Sequence, residues 1–164
     1  MQNEFKRTWK QIKNKRRIEL HINSYSIDET CRMSIEKYKQ KENAQLARIF
    51  SVKDPNLEVI YISPFPLTNE IQQYYQKILE LVEIENPETR FTVVVPENYV
   101  KFHRHMSLTQ ILLLSPKAMK QINSLIEGKQ CYIVPGVVNE VDIKLSIALA
   151  IPILTGDHQD VKLF

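Results

Sequence analysis

The 164-residue chain carries 22 Lys+Arg against 19 Asp+Glu, a formal charge of +3, with 43% hydrophobic and 25% charged residues, the balance of one globular domain with a core of ordinary size. Only 3 glycines occur, against an ordinary usage of about 7%. Gly128, Gly136 and Gly156 stand apart, so the glycine-rich phosphate motifs G-x-G-x-x-G and G-x-x-x-x-G-K-[ST] do not occur and collagen-like or Gly/Ser-linker classes are excluded. No apolar run approaches the ~18 residues of a membrane span, no apolar stretch backs Met1-Gln2-Asn3-Glu4 as a secretory signal would, and Cys31 and Cys131 form no C-x-x-C, so reduced cysteines and a cytosolic compartment are expected.

The charge is unevenly placed. Residues 1–53 hold 13 Lys+Arg and 6 Asp+Glu, a balance of +7, while residues 54–164 hold 9 and 13, a balance of −4. The basic residues of an N-terminal arm, 1–17, are Lys6, Arg7, Lys10, Lys13, Lys15, Arg16 and Arg17, interleaved with Phe5, Trp9 and Ile12. Three readings fit such an arm: a solvated helix pinned by its aromatic residues, a docking element for an acidic protein surface, or a nucleic-acid contact. No nucleic-acid fold signature accompanies it, which ranks the last reading third. As a docking element the arm would use Phe5, Lys6, Arg7, Trp9, Lys10, Lys13, Arg16 and Arg17, with Trp9 as apolar anchor.

Behind the arm, Ile18-Glu19-Leu20-His21-Ile22 alternates like a half-buried strand, and Asn23-Ser24-Tyr25-Ser26 reads as a turn. Asp28 or Ser26 suits the cap of a helix over 28–50, with Ile35, Tyr38, Leu46 and Ile49 along one face. Asp54-Pro55-Asn56 ends it. Leu57-Glu58-Val59-Ile60-Tyr61-Ile62 is a β-branched strand stopped by Ser63-Pro64-Phe65-Pro66, and Thr68 caps a helix over 69–85 with the stripe Ile71, Tyr75, Ile78, Val82. Phe91-Thr92-Val93-Val94-Val95 reads as a strand covered on both faces. Ser115-Pro116 opens a helix striped by Ala118, Ile122, Leu125 and Ile126 and ended by Gly128. A strand over 130–134 is closed by Pro135-Gly136, a helix from Asn139 or Glu140 runs through Ala150, and Ile151-Pro152-Ile153-Leu154 is a last short strand. Strand–helix units of roughly 30–40 residues predict an α/β domain over 18–164, a Rossmann-like parallel sheet with helices on both faces, preceded by the basic helical arm.

Ligands of such sheets bind beyond the carboxyl ends of the strands, which makes Glu97, Asp157 and His158 the ionisable candidates for a pocket there; the plain alternative is that these side chains sit in water. His103-Arg104-His105 offers two imidazoles with no third ligand nearby in sequence, so no metal site is expected, and no cofactor either. No G-x-S-x-G elbow accompanies any serine, and Glu83 and Glu85 read as solvated, so no catalytic residue is assigned. Ile71-Gln72 begins like a calmodulin-binding IQ segment, but Tyr75-Gln76-Lys77 follows where arginine and glycine are wanted, and Ile71 belongs to the helix stripe.

Four blocks together carry a family resemblance: Arg17-Ile18-Glu19-Leu20-His21-Ile22; Asp54-Pro55-Asn56 leading through Val59-Ile60-Tyr61-Ile62 to Ser63-Pro64-Phe65-Pro66-Leu67-Thr68; Tyr74-Tyr75 with Lys77-Ile78-Leu79-Glu80-Leu81; and Cys131-Tyr132-Ile133-Val134-Pro135-Gly136 leading to Ile151-Pro152-Ile153-Leu154. Over roughly residues 15 to 162 the chain resembles the IQ motif-containing protein H family, in which a Rossmann-like pre-ATP-grasp region precedes an ATP-grasp-like region. The resemblance implies a place in motile cilia or flagella, in an axonemal complex such as a radial spoke, with other axonemal proteins as partners. The nucleotide-binding lysines and magnesium carboxylates of an ATP-grasp core would fall after Phe164, so none is carried onto this chain. Two readings follow: a non-catalytic docking module, or the N-terminal domain of an ATP-grasp ligase that shapes its substrate pocket.

Overall fold

The computed structural model describes residues 9, 12–84, 86–102 and 105–155, without the side chain of Glu88. Its elements are β1 (Arg17–Tyr25), α1 (Glu29–Ser34), α2 (Tyr38–Asn43), a 3-10 segment (Ala44–Lys53), β2 (Leu57–Ile62), α3 (Asn69–Leu81), α4 (Pro87–Arg90), β3 (Phe91–Val94), α5 (Leu108–Leu113), α6 (Pro116–Ile126), β4 (Gln130–Val137) and α7 (Glu140–Leu149). The four strands form a wholly parallel sheet in the order β3-β2-β1-β4. The chain thus builds outward from β1 to β3, then returns to β1's other side, so the order reverses between β1 and β4.

Each face has its own apolar cluster. On one face the 3-10 segment and α3 bring Leu46, Ile49, Val52 and Leu79 onto Leu57, Val59 and Tyr61 of β2. Leu46, Ile49 and Val52 recur every third residue, which suits the three residues per turn of a 3-10 helix and puts them on one line. On the opposite face α5, α6 and α7 pack Leu108, Leu112, Ile122 and Leu145 over Leu20, Ile22, Ile60, Ile62 and Ile133. Helices therefore cover both faces of the sheet, as parallel strands require.

Several local expectations are corrected. β1 is central, not half-buried, and runs through the predicted turn to Tyr25, with His21, Asn23 and Ser24 all buried. The predicted 28–50 helix breaks twice: Asp28 caps α1, but Ile35 is extended and Lys37 is left-handed at φ 52°, which re-aims the chain so that buried Tyr38 and Glu42 reach the sheet. α3 stops at Leu81, so Val82 is 50% exposed and Leu79 takes the buried place in the stripe. β3 is the edge strand and only half-buried over Phe91, Thr92 and Val93. Pro135-Gly136 lies inside β4; Ile133, in the same pleat phase as Pro135, bonds away from β1 to Pro152 and Leu154 at 2.8 Å, so the missing proline amide costs no bond to β1. The last strand is reduced to a single parallel bridge, Ile133 to Ile153. α5 went unseen in the sequence, although Ser107 and Gln110 form a capping box ahead of it.

Candidate partner-binding surface

The arm enters the fold through Arg17, the first residue of β1. Its guanidinium is buried and donates from Nη2 to Asp54 Oδ2 at 2.7 Å, from Nη1 to the Lys13 carbonyl at 2.7 Å, and from Nε to Tyr132 Oη at 3.4 Å. Arg17 is therefore consumed inside the domain, which removes it from the arm residues open to a partner. Burial alone would lower its pKa, but the bonds with Tyr132 and Asp54 outweigh this and raise it, so the charge persists. Asp54 is held below the ordinary carboxylate range: slight burial would raise it, and the Asn56 amide and Arg17 more than offset that.

The same face of β1 continues the ladder. Tyr132 Oη donates to Glu19 Oε1 at 2.6 Å, and His21 Nε2 lies 2.9 Å from Glu19 Oε2. Burial would raise the Glu19 carboxyl, but His21 and Tyr132 together keep it below its usual value. Burial, with the Glu19 carboxylate beside it, pushes the Tyr132 phenol well above the ordinary range. Trp9 meets Tyr132 edge-on at 5.5 Å between ring centroids. Lys13 N donates to the Trp9 carbonyl at 2.9 Å, one helical turn. The tryptophan thus anchors the arm to its own domain. Lys13, Lys15 and Arg16 beyond it are exposed. Phe5, Lys6, Arg7 and Lys10 lie outside the described residues, as do His103, Arg104, Asp157 and His158.

At the carboxyl ends of β1 and β4, described side chains bond to one another and to the loops. Asn139 Nδ2 donates to the Ser26 carbonyl at 2.6 Å, tying the loop after β4 to the loop after β1. Ser26 Oγ donates to Ser24 Oγ at 2.9 Å, Thr109 N to Ser24 Oγ at 3.4 Å, and Thr109 Oγ1 to Asp142 Oδ1 at 2.6 Å. Burial raises the Asp142 carboxyl, partly offset by Thr109 and the Asn139 amide. A Cβ on Gly136 would lie 2.5 Å from the Ser24 carbonyl oxygen, so β4 passes too close to β1 here for any side chain. Glu97 is also engaged: its carboxylate accepts from Lys117 N at 2.8 Å and Ala118 N at 3.1 Å, capping α6 while Ser115 Oγ turns back to the Ile111 carbonyl. Those amides hold the Glu97 carboxyl low, against a small opposing effect of burial. His105 sits 4.0 Å from Glu29 on the surface.

No family model matches the chain, and no solved structure does. A curated protein, IQ motif-containing protein H of Danio rerio, is 34% identical to it over 167 residues, covering 95% of the chain. The chain belongs to the IQ motif-containing protein H family. It spans 16% of that relative's length.

The structure gives physical roles to the blocks that carried the IQ motif-containing protein H resemblance. In Ser63-Pro64-Phe65-Pro66-Leu67-Thr68 the serine hydroxyl donates to the Phe65 carbonyl at 2.5 Å, Leu67 is buried, and Thr68 caps α3 by accepting from Ile71 N at 3.4 Å. Cys131-Tyr132-Ile133-Val134-Pro135-Gly136 lies within β4, which supplies the tyrosine of the ladder and the glycine that passes close to Ser24 of β1. Ile71-Gln72 is used by the fold: Ile71 packs on the β2 cluster, and Gln72 Nε2 donates to the Leu67 carbonyl at 3.0 Å. Among the described residues no helix is long and apolar enough to cross a membrane.

Proposed function

We propose that this domain is a non-catalytic docking module of a ciliary or flagellar axonemal assembly, a radial spoke being the complex in view, and that its basic arm meets an acidic surface on a neighbouring protein. What supports the non-catalytic part is a web of side chains at the carboxyl ends of β1 and β4: among the described residues Ser24, Ser26, Thr109, Asn139 and Asp142 are joined there by hydrogen bonds, where an open α/β sheet commonly takes its ligand. Family membership supports the rest, because the resemblance to IQ motif-containing protein H implies the axonemal setting.

Since Arg17 belongs to the sheet, the arm is best removed ahead of Lys13, which preserves the carbonyl that Arg17 binds. A tagged chain lacking residues 1–12, and one with Lys13, Lys15 and Arg16 all changed to glutamate, are compared with the intact chain in flagellated cells. Both variants should lose incorporation into the axoneme while remaining folded. Normal incorporation of both would overturn the arm's role. Calorimetric titration of the isolated chain with ATP and magnesium should show no tight binding; tight binding would favour the ligase-domain reading instead.

A further inference from the structure

Of the 13 residues of α3 only Leu79 is buried, and Tyr74 on the same helix is 60% exposed. Between α3, α2 and the loop after β2 runs a groove of about 670 Å³. Three aromatic rings wall it, the half-buried Phe65 and Tyr75 and the exposed Tyr74. The two tyrosines stand edge-on at 5.4 Å between ring centroids, so their faces point in different directions. From α2 the groove takes Gln40 and Asn43. The Tyr61 hydroxyl anchors Asn43, lying 3.3 Å from its carbonyl oxygen and 3.4 Å from its Oδ1. That contact turns Oδ1 toward the sheet and leaves Nδ2 as a donor with no partner among the described residues. Glu70 is the one charged residue of the lining; it is exposed, and no described cation pairs with it.

We propose that this groove binds a proline-rich segment of a partner protein in the polyproline II conformation, with an arginine or lysine of that segment meeting Glu70. Proline rings pack against aromatic faces, and the angled pair Tyr74 and Tyr75 divides the surface into slots that alternate rings can enter. A polyproline helix makes no internal hydrogen bonds, so its carbonyls need donors. Asn43 Nδ2, Gln40 Nε2 and the two tyrosine hydroxyls supply them, whereas an α-helical partner has already satisfied its own carbonyls. The charge is complementary to a basic segment: one carboxylate and no cation line the groove, which disfavours an acidic segment or a phosphate backbone. The preformed extended chain also has little order left to lose on binding. This surface goes beyond the docking reading above, since the arm would meet an acidic surface and the groove a basic, proline-rich one.

The experiment is fluorescence anisotropy with a labelled peptide of about ten prolines carrying an arginine at each end, so that either direction of binding brings a cation to Glu70. The intact chain should bind it, and a control peptide with alanines for prolines should bind about tenfold more weakly or worse. Tyr74→Ala should weaken binding about tenfold. Leu81→Ala, which removes another exposed apolar side chain of α3 outside the groove, should leave it within about twofold. Glu70→Gln should weaken the arginine peptide about threefold and leave a version with glutamines for arginines unchanged. Circular dichroism checks folding; if Tyr74→Ala unfolds, the two Glu70→Gln measurements decide. No binding by the intact chain overturns the proposal, as does unchanged affinity in folded Tyr74→Ala or equal binding of the alanine peptide. Self-association of the chain that Tyr74→Ala abolishes would give the groove to a second copy and overturn it too. The chain lacking residues 1–12 should bind as the intact chain does; loss of binding there would put the peptide on the arm and overturn this assignment. Axonemal incorporation of that same truncated chain tests the arm, so the two readings fail separately.

Discussion

Gly136 and Gly128 make opposite demands on their neighbours. A methyl at Gly136 would stand 2.5 Å from the Ser24 carbonyl oxygen, which is backbone of the central strand and cannot step aside, whereas Gly128 has open space but a left-handed φ of +69°. Gly136→Ala should therefore cost about 2 kcal/mol or more by overpacking, and Gly128→Ala only about 1 kcal/mol by backbone strain. Urea unfolding of the two variants separates these costs, and equal losses would contradict this account. A third residue sets a pH dependence. Burial pushes the Glu42 carboxyl up to about 7, against the lowering effect of the Tyr25 amide it accepts and of Arg32 and Lys39. The folded chain thus holds this proton more tightly than the unfolded one. Its stabilising contribution is complete below the ordinary glutamate pKa and is lost as pH rises through about 7. Asp54 and Glu19, held low, act oppositely and lose their contribution as pH falls. Glu42→Gln, which keeps an acceptor for Tyr25, should abolish the decline toward pH 8, on the order of 3 kcal/mol at most, while leaving the acid limb intact. Denaturant melts across pH measure both limbs.

At the level of elements, the clearest dependence is α6 on a residue outside its own sequence. Ser115 occupies the cap position, yet its hydroxyl donates to the Ile111 carbonyl, and the two amides of the first turn are taken by Glu97. Glu97→Ala should cost about 1 kcal/mol and fray the start of α6, with amide exchange at Lys117 and Ala118 rising first. Ser115→Ala should instead loosen the end of α5. The polar ladder on β1 makes a sharper case. Tyr132→Phe strips Glu19 Oε1 and Arg17 Nε of a partner in one step, and about 1–3 kcal/mol should be lost for the orphaned buried groups. Trp9 fluorescence should shift as well, because its ring rests on Tyr132. What could be read in advance at this scale followed from local chemistry. β2 matched its predicted bounds, and Thr68, Asp28 and Asn139 cap where their side chains suggested. The 28–50 break was hidden, because Lys37 at φ 52° carries no glycine or proline to announce it. The 46, 49, 52 spacing of three was visible and fits the 3-10 segment better than an α-helix.

For the whole molecule, the sheet order decides which residues distant in the chain meet. Placing β4 beside β1 brings Gly136 onto Ser24 and Asn139 onto Ser26, while Glu97, a strand-end candidate in the sequence together with Asp157 and His158, caps α6. The same order sets Arg16 beside Arg90 at the other end, although 74 positions separate them, as their numbers show. Incorporation of the chain lacking residues 1–12 into the axoneme tests the arm at this scale. By itself the sequence determined the α/β class, most element positions, the basic arm and the absence of glycine-rich phosphate loops, since all of these depend on residue type, period and local capping. Only the tertiary structure decided that Arg17 and Trp9 pack into the fold, that Glu97 caps a helix and that Asn139 ties the loop after β4 to Ser26. Those facts depend on contacts between residues far apart in the chain, and side-chain periodicity carries no information about which strands become neighbours.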